Sequence, residues 1–146
     1  MNEAIENFVH LKRLAVVGVS RDPNKFGTRI YQELKQRGYQ VIPVNPQMKD
    51  IGGQPCAPDL AALKDKVDGA VVCIAPKQVE AVLLQAAASG IKHVWLQQGA
   101  ESQAALKAGK DLDLDMVSGK CILMYAEPVQ SFHKFHRLIA KVFGQL

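Results

Sequence analysis

The chain has 146 residues, a formal net charge of +4 and 48% hydrophobic residues. This balance fits one globular domain and excludes a disordered chain. No apolar stretch reaches the roughly 18 residues that a membrane span needs, and the acidic N-terminus lacks a signal-peptide core. The three cysteines form no Cys-x-x-Cys pair, so neither a disulfide framework nor a cysteine zinc site is expected. We therefore expect a single cytoplasmic domain over residues 1–146.

The positive charge is mild and no lysine- or arginine-rich run carries it. Such a charge favours an anionic small molecule over a nucleic acid. We accordingly expect neither nucleic acid nor a membrane as a partner.

Short apolar runs predict strands that are buried on both faces of a sheet. Five such strands are predicted, at residues 13–18, 39–44, 70–74, 93–96 and 114–117. Residues 121–124 are predicted to form a sixth strand or an edge extension. Residues 45–59, rich in proline and glycine, predict a long loop of the kind that often carries function.

Helical spacing of apolar residues occurs between these strands. Phe26, Ile30 and Leu34 predict one helix face, and Gly38 is a residue suited to end that helix. Further helices are predicted at residues 5–9, 79–90, 102–110 and 132–143. Strand and helix in alternation predict parallel strands with helices on both faces. The predicted fold class is α/β: a single Rossmann-like, doubly wound domain with a five- to six-stranded, mainly parallel sheet.

The segment after the first strand has the composition of an anion site. Ligands of such sheets bind at the carboxyl ends of the strands. Gly18 lets the backbone approach a phosphate where a helix begins, and Ser20 adds a hydroxyl donor. Three cations follow, Arg21, Lys25 and Arg29. The alternative is a tight turn surrounded by solvated surface charges.

Sharper nucleotide motifs are incomplete in this segment. Ser20 stands where the fingerprint G-x-G-x-x-G needs its second glycine, and Asn45 occupies the place of the acidic residue that binds the ribose of NAD. There is no Gly-Lys-Ser/Thr tripeptide for a P-loop, and the last glycine of a nucleophile elbow is missing. The sequence therefore gives little support for NAD binding, for ATP binding or for acyl-hydrolase activity.

The next three strands also end in residues suited to ligand contact. Asn45, held before Pro46, is placed to contact a ribose or an adenine, with Lys49 beyond it for a phosphate. The alternative is that Asn45 bonds to its own backbone. Residues 74–76 permit flat contact with a ring. Residues 97–99 provide amides for a diphosphate or for the amides of an extended ligand.

These four strand ends resemble those of small bacterial CoA-binding domain proteins. The resemblance rests on the order of Gly-Val-Ser, Pro-Val-Asn-Pro, Ile-Ala-Pro and Leu-Gln-Gln-Gly and runs from Leu11 to Met124. Such proteins look like free-standing relatives of the CoA-binding domain in the succinyl-CoA synthetase α subunit and the acyl-CoA synthetases. The resemblance implies a protein that binds coenzyme A or an acyl-CoA through its ADP portion.

The resemblance and the charge pattern together give the expected binding residues. The residues expected to line the phosphates are Gly18, Val19, Ser20, Arg21, Lys25 and Arg29. Those expected to flank the adenosine are Asn45, Pro46 and Lys49, and those expected to back the adenine are Ile74, Ala75 and Pro76. The residues expected toward the pantetheine are Gln97, Gln98 and Gly99.

No catalytic constellation or metal site is predicted. His133 and His136 share a face of the closing helix, where surface histidines are favoured over a metal pair. Cys73 is predicted to be a core strand residue. For Cys121, a buried strand cysteine is favoured over one that forms a mixed disulfide with the CoA thiol.

The expected function is therefore CoA binding without catalysis. A homodimer through the Phe-rich last helix, or an unidentified protein partner, stays open. Two alternatives also remain: a small nucleotide- or NAD(P)-dependent enzyme on the same fold, and an interaction module whose nucleotide pocket has decayed.

Overall fold

The computed structural model describes residues 3–127. Within that range the strands are β1 Arg13–Val17, β2 Gln40–Val44, β3 Asp50–Ile51, β4 Gln54–Pro55, β5 Gly69–Val72, β6 His93–Gln97 and β7 Asp115–Lys120. The α-helices are α1 Glu3–Val9, α2 Phe26–Gln36, α3 Val79–Ala88 and α4 Gln103–Asp111. Short 3₁₀ turns occupy Ala61–Leu63, Pro76–Gln78 and Ile122–Met124.

Five of the strands form one parallel sheet in the order β2-β1-β5-β6-β7. The strand order reverses beside β1: the chain moves outward to β2 on one side and to β5, β6 and β7 on the other. The connections therefore diverge between β1 and β5, which leaves a crevice at the carboxyl ends of these strands. The α/β, Rossmann-like fold predicted from the sequence is confirmed.

Helices cover both faces of this sheet because alternate strand residues point to opposite sides. Leu14 and Val16 of β1 pack in the layer that contains α1 and α2. Ala15 and Val17 pack in the layer that contains α3 and α4. Trp95 of β6 is fully buried in the first layer. The connections thus run over both faces, as in a doubly wound domain.

One predicted strand ends earlier in the structure than expected, and another is absent. The strand predicted at residues 70–74 ends at Val72, although the N–H of Cys73 still donates to the carbonyl of Val17 at 2.9 Å. The sixth strand or edge extension predicted at residues 121–124 is wrong, because β7 ends at Lys120. After β7 these residues form the 3₁₀ turn Ile122–Met124, with Ile122 buried in the core.

The long loop predicted at residues 45–59 contains the antiparallel pair β3–β4. Gly52 and Gly53 connect the two strands, with φ values of +57° and +82°. Positive φ at both central positions is what a two-residue hairpin turn of type I′ requires. The Gly-Gly pair was the available signal for this hairpin.

The predicted helix at residues 102–110 is confirmed as α4, where the Ser102 hydroxyl accepts a hydrogen bond from the N–H of Ala105 at 3.0 Å. The short first helix is α1. The predicted closing helix at residues 132–143, with His133 and His136, lies outside the described residues. Within residues 3–127, the helices are all too short or too polar to cross a membrane.

Candidate ligand-binding site

A cleft of about 1130 Å³ opens at the carboxyl ends of β1, β2, β5 and β6. Its wall includes a residue that directly follows each strand: Gly18, Asn45, Cys73 and Gln98. Small-molecule sites usually have volumes of about 300–1,000 Å³, so this cleft has room for an extended ligand. It lies at the strand-order reversal, where sheets of this kind bind their ligands.

The loop after β1 and the start of α2 are in direct backbone contact. A Cβ at Gly18 would lie 2.3 Å from the carbonyl oxygen of Cys73, and one at Gly27 would lie 2.4 Å from the carbonyl oxygen of Gly18. Gly18 also has a φ of +106°, which favours glycine. Two glycines thus let β1, β5 and α2 meet at the cleft. Gly27 was not predicted as a site residue, and its signal in the sequence is a poor helix former within a helical pattern.

The first turn of α2 is suited to an anion. Its free N–H groups and the positive end of the helix dipole lie where the cleft wall includes Phe26 and Gly27. This turn has no acidic residue, and the side chain of the N-cap residue Lys25 makes no capping bond. Lys25 is exposed and also lines the cleft. An anion at this position would meet backbone donors and a cation together.

Ser20 is fixed to α2 by a reciprocal pair of hydrogen bonds. Its N–H donates to Thr28 Oγ1 at 3.1 Å, and Thr28 Oγ1 donates to the Ser20 carbonyl at 3.0 Å. The Ser20 hydroxyl oxygen accepts from the N–H of Asp22 at 3.1 Å. The hydroxyl hydrogen of Ser20 can therefore still be donated to a ligand. Thr28, which is buried and was not selected from the sequence, holds this loop in place.

Asn45 connects the end of β2 to the loop after β1. Its Nδ2 donates to the carbonyl of Val19 at 2.9 Å, and its Oδ1 accepts from the N–H of Gln47 at 2.8 Å. The bond to Gln47 is the local backbone bond that the sequence predicts as the alternative to ligand contact by Asn45. One Nδ2 hydrogen can still be donated. Both Asn45 and its neighbour Pro46 line the cleft. Their contact with a ligand stays a prediction.

The other three predicted cations lie outside the cleft wall. Arg21, Arg29 and Lys49 are exposed, whereas the wall includes Lys25. Arg21 pairs with Asp50, with 3.3 Å between its guanidinium nitrogen and Oδ1. That pair joins the loop after β1 to the β3–β4 hairpin. Direct contact of these three residues with a ligand stays a prediction.

The opposite side of the cleft is largely apolar. Ile74 and Ala75 line it, whereas Pro76 starts the following 3₁₀ turn outside the wall. Val82 and Leu60 add to this surface, which also includes the polar residues Asp59, Gln78 and Gln85. An apolar wall of this kind can take the flat face of a ring.

Phe26 is an exposed residue of the cleft wall. The helical spacing predicts Phe26 on the same face as Ile30 and Leu34, but 51% of its surface is exposed. Phe26 is the first residue of α2, and the buried residues Ile30, Tyr31 and Leu34 form the packed face of this helix. Phe26 lines the cleft instead, where an exposed aromatic ring is available to a ligand.

The loop after β6 forms the far end of the cleft. Gln97, Gln98 and Gly99 all line it. Gln97 is buried, with 1% of its surface exposed, whereas Gln98 and Gly99 are exposed. The N–H of Gly99 donates to Glu101 Oε2 at 2.9 Å. The structure thus brings the predicted residues of all four strand ends to one cleft, apart from the four outside its wall.

The cysteines differ from their predicted positions. Cys73 is not within a strand but lines the cleft just after β5. Burial, and to a smaller extent the nearby Cys121, raise the pKa of its thiol to about 12. Cys121 is half-buried and precedes the Ile122–Met124 turn, so the prediction of a buried strand cysteine is wrong. A protonated Cys73 thiol is a weak nucleophile.

Metal ligation has no support in the part of the chain that the structure describes. Residues 3–127 contain no group of three or more His, Cys, Asp or Glu side chains that could hold a metal ion.

A protein-family model described as "CoA binding domain" matches residues 12–127. The chain belongs to this CoA-binding domain family. The match begins just before β1 and ends at the last described residue, so it includes every strand and every wall of the cleft. The resemblance seen in the sequence is confirmed.

Similar proteins include both enzymes and free-standing domains. The chain is 34% identical over 90 residues to an acetate–CoA ligase (ADP-forming) of Archaeoglobus fulgidus, covering 60% of this chain and 13% of the ligase. A hypothetical protein from Pyrococcus horikoshii has a TM-score of 0.79 and 28% identity, with 86% of this chain and 89% of that one covered. A conserved hypothetical protein from Pyrococcus furiosus has a TM-score of 0.75 and 33% identity, with 77% and 97% covered. This CoA-binding domain therefore spans a small part of the ligase but nearly all of the two Pyrococcus proteins.

Proposed function

We propose that this CoA-binding domain binds coenzyme A or an acyl-CoA in the cleft, through the ADP portion of the ligand, and catalyses no reaction of its own. The observation that carries this proposal is the contact of Gly27 with the Gly18 carbonyl, which brings the first turn of α2 against the loop after β1. In the proposed complex the diphosphate lies at this turn, beside Lys25. The adenine lies against the apolar wall that includes Ile74 and Ala75.

The amide at the end of β2 supports CoA over NAD. A domain that binds NAD places an Asp or Glu there to bond the ribose hydroxyls. This chain has Asn45, which is neutral and does not repel a phosphate carried on the ribose. CoA has a 3′-phosphate on that ribose, whereas NAD has free hydroxyls.

The absence of catalysis is supported by the chemistry of the cleft wall. Cys73 is the nucleophilic thiol there, and its raised pKa keeps it protonated near neutral pH. Asp59, an acidic residue in the wall, accepts a hydrogen bond from the N–H of Ala62 at 3.1 Å. Neither group is arranged as an activated nucleophile with an adjacent base. Incubation with acetyl-CoA should release no free CoA above the uncatalysed rate.

Calorimetric titration with CoA, NAD⁺ and ATP tests the proposal against its two alternatives. We expect CoA to bind more tightly than either of the other two ligands. Preference for NAD⁺ or ATP would support a nucleotide-dependent enzyme instead. No heat from any of the three, in a protein shown to be folded by circular dichroism, would support an interaction module without a nucleotide site.

A further inference from the structure

The two edges of the main sheet differ in how they are covered. β2 forms one edge, and the chain that follows it bonds to its outer side. Gln54 Nε2 donates to the carbonyl of Val41 at 2.6 Å. The N–H of Ala57 donates to the carbonyl of Pro43 at 2.9 Å, and Pro43 has no N–H of its own. This edge is therefore closed to a further strand.

β7 forms the other edge, and its outer side is open in the part of the chain that the structure describes. The N–H of Asp115 donates to the carbonyl of Lys92 at 2.8 Å. Asp115 thus faces β6, and the backbone of the next residue, Met116, faces outward. Ser118 lies where the register with β6 shifts, and it pairs with no residue of that strand. Within residues 3–127, no loop, turn or side chain bonds the backbone groups of Met116 or Ser118.

The charges along this edge select how a further strand pairs with it. Asp113 and Asp115 lie at the start of β7, and Lys120 is its last residue. Two copies of β7 paired in parallel would place each charge beside its like. In antiparallel pairing, Lys120 of one copy lies beside the acidic start of β7 in the other copy, and opposite charges across a ladder are favourable. The edge is thus complementary to itself when reversed, as an interface on a two-fold axis must be.

The packing at this edge leaves room for a second copy. Leu114 and Met116 are only half-buried and pack against the core layer that contains α4. A Cβ on Gly119 would meet no described atom within 4 Å. Pairing centred on Val117 sets Met116 of each copy opposite Ser118 of the other, so the open backbone groups of both copies meet.

We infer that the outer edge of β7 is the contact between two copies of this chain, which pair antiparallel and join their sheets into one. The strands of the two copies then run in opposite directions. Each cleft lies at the carboxyl ends of its own strands, so the two clefts open at opposite ends of the joint sheet and both stay accessible. The inference does not depend on which ligand the cleft binds.

Sedimentation velocity of the protein over a dilution series tests this inference. The unchanged protein should form a species of twice the 16.0 kDa mass of one chain and dissociate on dilution. Lys120→Glu puts an acidic side chain beside Asp113 and Asp115 of the second copy, at both ends of the ladder. We expect the dissociation constant of the dimer to rise at least about tenfold. Lys64→Glu is the matched control, because Lys64 is an exposed lysine in the segment before β5, and its dimer should be unchanged.

Ser118→Pro is a second variant, which removes an outward N–H without changing the charge. Proline is tolerated on an edge strand where the N–H faces outward, and this variant should also weaken the dimer. Circular dichroism checks that each variant is folded. Should both variants unfold, hydrogen exchange in the unchanged protein still decides the question. The N–H groups of Met116 and Ser118 should exchange slowly in the dimer and rapidly after dilution.

Three outcomes contradict the inference. A protein that stays monomeric at every concentration has no such contact. Slow exchange of the Met116 and Ser118 N–H groups in a monomer would show that another segment of the same chain covers the edge. A dimer that both folded variants leave unchanged would place the contact elsewhere, for example on residues 132–143.

Discussion

A methyl group at Gly27 should separate the two backbones that form the proposed phosphate site. The Cβ of Gly27→Ala would lie 2.4 Å from the Gly18 carbonyl oxygen, where ordinary contact begins at 3.4 Å. The start of α2 must therefore move by about 1 Å, because the obstacle is backbone rather than a flexible side chain. Overpacking of this kind costs about 1–3 kcal/mol, and alanine returns about 1 kcal/mol through its better helix propensity.

The net effect of Gly27→Ala on the free energy of unfolding is thus a loss of about 0–2 kcal/mol, measured by urea denaturation. CoA affinity should fall at least about tenfold in calorimetry, since the displaced N–H groups lose hydrogen-bond geometry to a charged oxygen. Gly109→Ala is the matched control. Gly109 also lies in a helix, and its added Cβ would meet the side chain of Met116, which can move. That control should bind CoA normally. Equal CoA affinity in the two variants would refute the proposed role of the Gly18–Gly27 contact.

Three further predictions concern single residues of the cleft. Lys25→Ala should weaken CoA binding severalfold, and more than Arg21→Ala, because Lys25 lines the cleft while Arg21 is paired with Asp50 outside its wall. Calorimetry at two salt concentrations measures the CoA affinity of both variants. Equal losses in the two variants would contradict the placement of Lys25 beside the diphosphate. Asn45→Asp should lower affinity for CoA by about 1–2 kcal/mol more than for dephospho-CoA through repulsion of the 3′-phosphate, whereas Asn45→Ala should lower both equally by removing the bond to the loop after β1. Cys73 should react slowly with iodoacetamide at pH 8 and faster as the pH rises toward 12, because burial raises its thiol pKa to about 12. Peptide mass spectrometry measures the rate of labelling. Rapid labelling of Cys73 at pH 8 in the folded protein would contradict the raised pKa.

The strand and helix pattern was predictable because it depends on local hydrophobic spacing. Each predicted strand of the main sheet from residues 13 to 117 exists, with ends that differ by a few residues. Residues 121–124 were mistaken for a strand because Cys-Ile-Leu-Met is an apolar run. Tertiary contacts decide its conformation: Ile122 is buried in the core, and its N–H donates to the side chain of Gln97.

The site was predictable in its position but less so in its atoms. Residues that follow parallel strands must meet at one edge of the sheet, so the four motifs pointed to one cleft. The role of Gly27 depends on a backbone distance between two elements, which no local pattern encodes. The bonds of Asn45 to Val19 and Gln47 likewise depend on how two loops meet. The exposure of Phe26 depends on where α2 begins relative to the sheet.

The most direct measurement is a crystal structure of the protein with CoA bound. The account predicts diphosphate oxygens within about 2.7–3.2 Å of N–H groups in the first turn of α2, with the adenine against Ile74 and Ala75. CoA bound elsewhere on the protein, or bound in the cleft with its diphosphate away from α2, would contradict it.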